Sequence, residues 1–302
     1  MKKYSILSMV FAVLLIFPAY GFCNEWQEVI ENIGKGSINW TKGIIQATGI
    51  GASPEEYYGK AQARPMALRA ARLDAVRNLL EVTQGVRIDS ATVVKNFAVT
   101  NDVIMAKVSG MVKGTQIVKQ KYLSDGTVEV TMQMSLYGGF AQLVLPQEIK
   151  QIEPIKSVIS LSVEPPKPSP AIPSKTAGKP TSEIYTGLVV DAIGLKARPA
   201  MFPKIVDENG QEVYGSAFVS REYAVQQGMS GYAKDMTAAQ SNPRVTNNPL
   251  TVKGLKTEGP GKADIVISNA DAFELRSASE HLSFMKKCRV IIVVEHDFPF
   301  RQ

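Results

Sequence analysis

The residues that do chemistry in proteins are scarce in this chain of 302 residues. It holds two histidines, His281 and His296, and two cysteines, Cys23 and Cys288. Neither histidine stands in a zinc spacing such as HExxH, and no cysteine pair exists for a metal. The sequence has no GxSxG elbow for a nucleophilic serine, no GxxxxGK[ST] phosphate loop and no G-x-G-x-x-G turn. The run GIGAS, Gly49 to Ser53, precedes an expected helix whose N-terminus would favour an anion. With Glu55 and Glu56 following, it reads as a plain turn. Asp89, Asp102, Asp125 and Glu129 have no spacing that forces two carboxylates together, as glycoside hydrolysis requires. The run DENG, Asp207 to Gly210, lacks the spacing of a calcium loop. The expectation is therefore no enzyme activity, no cofactor and no metal. Tyr214, Tyr223, Tyr232 and Arg244 are residue types that recognise ligands, and they are equally the types of ordinary surface and packing positions.

The elements that would position any site begin with one helix, expected from Ser53 to Gly85. Ser53, Pro54 and Glu56 read as a capping box, and Gly85 as a left-handed stop. At about 100° per residue, Ala61, Met66, Leu68, Leu73, Ala75, Val76, Leu79 and Leu80 share an apolar arc. Lys60, Asp74, Arg77, Asn78 and Glu81 lie opposite, while Arg64, Arg69 and Arg72 break the division. Arg72 projects near the middle of the arc. It either lays its stem on the core with its head in water or meets a fixed carboxylate or carbonyl partner. Pro65 predicts a kink or a split. Before the helix, 24–38 reads as a polar leader with Trp26 as its anchor. Asn39 to Gly51 reads as a strand with Ile44, Ile45, Ala47 and Ile50 as its apolar positions. After it come two short helices, capped by Asp89 or Ser90 and by Asn101 or Asp102. A hairpin follows, Thr115–Leu123 and Thr127–Tyr137, around Ser124-Asp125-Gly126. Val128, Val130, Met132, Met134 and Leu136 alternate with polar residues and predict one buried face, the methionines acting as core filler.

Residues 164–183 contain six prolines and almost no large apolar side chain, the composition of an extended linker. The fold class that results is α+β: a long helix on a mostly antiparallel sheet (39–150), a proline-rich linker (151–183) and a second mixed α/β domain (184–302). In the second domain, strands are expected at Ile184–Val190, Leu250–Lys256, Asp264–Ser268 and Cys288–Val294. A hairpin is expected around Asp207–Gly210, and helices at Arg221–Gln227, behind Ser220, and from Asp271 to about Met285. Residues 228–248 read mainly as a surface excursion. Cys288 reads as a buried structural thiol. An antiparallel sheet of this kind keeps an edge that invites subunit pairing.

Residues 1–23 carry Lys2 and Lys3, an apolar run from Ile6 to Phe17 and small, turn-forming residues, the pattern of an export signal. The run is short for a membrane span. Cleavage after Gly21 or Cys23 and lipidation at Cys23 are both open, though Phe22 is larger than the residue that usually precedes a lipidated cysteine. The net charge is +6, and +4 without Lys2 and Lys3. That is too little and too scattered to predict a nucleic-acid partner.

The helix AQARPMALRAARLDAVRNLLEVTQGVRID and the hairpin KGTQIVKQKYLSDGTVEVTMQMSL together resemble the LPP-twenty outer-membrane lipoprotein family over about residues 40–145. That family includes a flagellar outer-membrane protein and is similar to the first domain of the flagellar T-ring protein. The resemblance implies an exported, non-enzymatic envelope protein that assembles in the periplasm or at the outer membrane, in some members with the flagellum. It supplies no catalytic residues. Cys23 departs from the family's lipidated cysteine, and the second domain is extra. The interface candidates on the resembling motifs are Arg69, Arg72, Asp74, Arg77, Asp125 and Gly126. Expected partners are further copies of the chain and other envelope proteins. The alternative expectation is a periplasmic ligand-binding or sensing module that uses the second domain.

Overall fold

The computed structural model describes residues 28–99, 102–146, 149, 185–277 and 279–295. The expected signal 1–23, Trp26, Asn101, the proline-rich 151–183 and His296 lie outside them. The fold is α+β and holds two sheets. The first has strands β1 (Ile30–Ile33), β2 (Gly36–Asn39), β3 (Ile44–Gly51), β4 (Ile117–Tyr122) and β5 (Val128–Ser135). They stand in the order β1-β2-β3-β5-β4, every neighbouring pair antiparallel.

The polar leader is a correction. Residues 30–39 form a hairpin that turns at Gly34, whose φ is +53°. Val29 and Ile38 are fully buried. The period-two signal is there, but Glu28, Glu31 and Asn32 interrupt it and hide it.

The helix α1 spans Ala63–Gln84, ten residues later than the capping box suggests. Residues 55–57 make a single 3-10 turn, and Gly59 at φ +76° breaks the path before α1 begins. Pro65 thus falls in the first turn, where its missing N–H has no intrahelical partner to lose, and the helix is not split there. Gly85 has φ −79° and not the left-handed value; a Cβ there would come within 2.9 Å of Ile33 Cδ1.

The buried stripe is also rotated from the expected arc. Ala67, Ala71, Ala75, Leu79 and Val82 are buried, whereas Leu73 is 65% exposed. The reason is the opposing strand. On β3 the buried side is Ile45, Ala47, Gly49 and Gly51, and Ile50 is 53% exposed. A Cβ on Gly49 would lie 2.1 Å from the backbone N of Ala75, and one on Gly51 2.2 Å from that of Ala71. Glycine on the strand and alanine on the helix allow a close approach that larger residues would prevent.

β2 ends at Gly36, so the last residues of β3 lack a strand on that side. Side chains of α1 take its place. Asp74 Oδ2 accepts the N–H of Ile50 at 3.1 Å, and Asn78 Nδ2 donates to the carbonyl of Thr48 at 2.8 Å. These bonds satisfy backbone groups that would otherwise go unpaired.

After α1 come α2 (Val94–Val99) and α3 (Asp102–Lys113). Asp89 accepts the N–H groups of Ala91 and Thr92, a turn that ends before α2 begins. The hairpin forms as expected: Val128, Val130, Met132, Met134 and Leu136 are buried. It is followed by α4 (Gly139–Val144).

The second sheet contains β6 (Gly187–Asp191), β7 (Ile205–Val206), β8 (Glu212–Tyr214), β9 (Gly231–Ala233), β10 (Pro249–Glu258), β11 (Asp264–Ile267) and β12 (Val290–Val293). Its order is β8-β7-β11-β10-β6-β12-β9. β6 is parallel to β10 and β12, and β9 to β12, whereas β10 and β11 are antiparallel. Helices α5 (Arg221–Gln227) and α6 (Met236–Gln240) precede β10, and α7 (Asn269–Ser277) and α8 (Ser279–Lys286) precede β12. The surface excursion is a second correction, because 228–248 holds β9 and α6, with Met229, Tyr232, Ala239 and Val245 buried. The helix expected over 271–285 is described as Asn269–Ser277 and Ser279–Lys286, and a reciprocal pair between Ser268 Oγ and Asp271 stands at its start.

Val189, Ile291 and Val293 pack beneath α6 in a core of their own. Leu188, Val190, Val290 and Ile292 face the other way, into a core that continues into the first sheet.

Candidate functional site: an open edge and a charged seam

β4 is the last strand of the first sheet, and five of its six residues are exposed. Leu123 donates to the carbonyl of Thr127 at 2.9 Å. Antiparallel alternation then turns the backbone groups of Lys121 and Lys119 toward β5 and those of Gln120 and Tyr122 outward. Val118 and Tyr122 are each 54% exposed. Arg64 lies 5.8 Å from the Tyr122 ring centre, close enough for a cation–π contact.

Asp125 and Gly126 set the turn that holds this edge. Asp125 Oδ1 accepts the hydroxyl and the N–H of Thr127 at 2.7 and 2.9 Å, and these bonds lower its pKa. Gly126 has φ +84°. Asp74 serves the edge of β3, as described above. Arg69, Arg72 and Arg77 are exposed with Leu73 on the outward side of α1, and none makes a hydrogen bond or ion pair among the described residues. Arg72 thus has its head in water.

The two sheets meet along a seam built by residues that the sequence reading does not select. Glu31 of β1 places Oε1 2.6 Å from Arg198 Nη2 and 3.4 Å from Arg87 Nη2; its Oε2 accepts Trp40 Nε1 at 3.0 Å. Arg87 Nη1 donates to the carbonyl of Pro199. Burial lowers the Arg87 pKa, and Glu31 opposes that effect. Around this cluster, Met201 and Phe202 donate to the carbonyls of Arg87 and Ile88. Ser90 bonds the carbonyl of Glu258, and Trp40 meets Tyr232 edge-on at 5.9 Å. The only sequence trace of the cluster is a charge, Glu31, on the apolar side of a strand. Beside it lies a cleft of about 320 Å³ lined by residues of β1, α1, the loop after α1, Lys95 of α2 and Arg198.

The recognition-type residues of the second domain are tied to backbone. Tyr214 donates to the carbonyl of Met229, and Tyr232 bonds both the N–H and the carbonyl of Ala200. Arg244 donates to the carbonyls of Gln227, Gly228 and Cys288. Burial pushes the Tyr232 hydroxyl up to about 12 and the Cys288 thiol up to about 11, so the thiol stays protonated and a poor nucleophile near neutral pH. Tyr223 is half-buried. Gly49 and Gly51 of the GIGAS run serve close packing. Asp89 and Glu129 are engaged locally, the latter with Lys121 at 3.4 Å. His281 lies in α8. Among the described residues no group of three His, Cys, Asp or Glu side chains could hold a metal, and no helix is long and apolar enough to cross a membrane.

Residues 187–296 match the family model described as Treponema pallidum Tp0624, second domain. The match begins at β6 and ends just after β12, so it spans the second sheet. No curated protein matches the chain.

Proposed function

We propose that this protein is a non-enzymatic component of the bacterial cell envelope, exported to the periplasm and working there, or at the outer membrane, by assembly with copies of itself or other envelope proteins. The observation that carries this reading is the open β4 edge. Beyond an irregularity in its pairing between Ile117 and Lys119 it is exposed and held by the Asp125–Gly126 turn, and an extended partner strand would satisfy its outward N–H and C=O groups. Support also comes from the resemblance of residues 40–145 to the LPP-twenty family, and a flagellum-associated assembly is the narrower form of the same reading. The second sheet, similar to a second domain in Tp0624, follows the first sheet here.

Sedimentation velocity of the mature chain, with and without an envelope extract, tests the proposal. The expected result is a concentration-dependent oligomer or an envelope-bound fraction that Gln120→Pro abolishes, because proline removes an outward N–H without touching the β4–β5 ladder. Val118→Lys should weaken association without altering the backbone. A strict monomer that binds no envelope fraction overturns the reading.

A further inference from the structure

At the seam, two guanidiniums share one carboxylate. The Arg87 and Glu31 side chains are each 7% exposed, and that of Arg198 is 24% exposed. Both oxygens of Glu31 are occupied, by the two arginines and by Trp40. Arg87 uses Nη1 and Nη2, and Arg198 uses Nη2; their remaining N–H groups engage no described residue. Uncompensated charge removed from water is costly, and an anion from outside would offset it.

Both arginines line the cleft of about 320 Å³, a size at the lower end of small-molecule sites. Ile33 and Val93 supply apolar wall, and the exposed Lys95 and Glu81 are its other charged residues. Arg87, Arg198 and Lys95 against Glu31 and Glu81 leave one net positive charge on the lining. The planar fork of a guanidinium fits two oxygens of a carboxylate or a phosphate.

We infer that this cleft binds a compact organic anion, with its carboxylate or phosphate head on Arg198 and Arg87 and a short apolar body against Ile33 and Val93. Arg198 comes from the loop between β6 and β7 and the rest of the lining from the first half of the chain, so its ligand fastens one to the other. It is independent of the assembly reading, because β1 and β4 are opposite edges of the first sheet.

Titration calorimetry of the full chain with hexanoate, hexyl phosphate, inorganic phosphate and hexanol tests the inference. At least one six-carbon anion should bind saturably with Kd below about 1 mM, inorganic phosphate more weakly, and hexanol not at all. Tighter binding of hexyl phosphate assigns a phosphate head, and tighter binding of hexanoate a carboxylate. Val93→Trp, which fills the cleft without changing its charge, should abolish binding. Lys95→Glu, an exposed change that leaves the seam intact, should weaken it about tenfold or more. The inference is overturned if the wild-type chain binds neither six-carbon anion, if hexanol binds as well as hexanoate, or if both variants bind like the wild type.

Discussion

The first sheet buries one face of β3 and β5, whereas the second buries both faces of the adjacent pair β6 and β12. Along β5 buried and half-buried residues alternate, and β4 is almost wholly exposed. In β6 the first four residues are buried, and in β12 all four. Antiparallel strands with one wet face and parallel strands covered on both faces are the two usual outcomes of sheet burial. The pair β6 and β12 has both faces covered by the chain itself, whereas the β4 edge is exposed and the seam carries buried charge.

The largest effect should come from the seam, where the contrast would be broken at its joint. Glu31→Ala leaves two arginines without their carboxylate and should cost about 3–5 kcal/mol in urea unfolding. A loss of a few tenths would mean that the sheets are stable apart. Next, Ile291→Ala in β12 should cost about 2–5 kcal/mol, and Ile50→Ala on the open face of β3 no more than about 0.5 kcal/mol. Equal losses at the two isoleucines would erase the distinction drawn here.

Glycines sharpen it further. Gly49→Ala puts a methyl group into the backbone of α1 and should cost about 1–3 kcal/mol or more. Gly126→Ala meets no neighbouring atom and should cost only the left-handed backbone penalty, about 1–2 kcal/mol.

The smallest effect is pH-dependent and belongs to the second sheet. Desolvation pushes the Asp207 carboxyl up, but the N–H groups of Gln211 and Asn209 and the guanidinium of Arg276 outweigh it, and the net shift is downward. A lowered folded-state pKa gives stability that is present above the unfolded value and is lost as pH falls through the folded one. The stability gap between wild type and Asp207→Asn should therefore be widest at neutral pH and close in acid. A gap that stays constant with pH would show that the Asp207 charge contributes nothing.

The hairpin over 115–137 is legible in the sequence because strict alternation and an Asp-Gly turn point to one register. The existence of α1 is legible too, but its phase is not. Leucines pull the expected apolar arc toward Leu73, while the true contact is an alanine stripe against glycines, a match of shape with little hydrophobic signature. β9 is three residues long inside a Gly-, Ser- and Asn-rich stretch, and its burial comes from β12, far along the chain. The seam cluster is the least legible, since Glu31, Arg87 and Arg198 belong to three unconnected segments and acquire meaning only when the sheets meet.

The ion pair across the seam also bears on biogenesis. Glu31 leaves the ribosome 167 positions ahead of Arg198. In the interval, among the described residues, its carboxylate has Arg87, 56 positions on, as its countercharge. A nascent chain that has emerged through the first sheet alone thus carries a balanced pair, and the surplus positive charge at the seam comes with the C-terminal half.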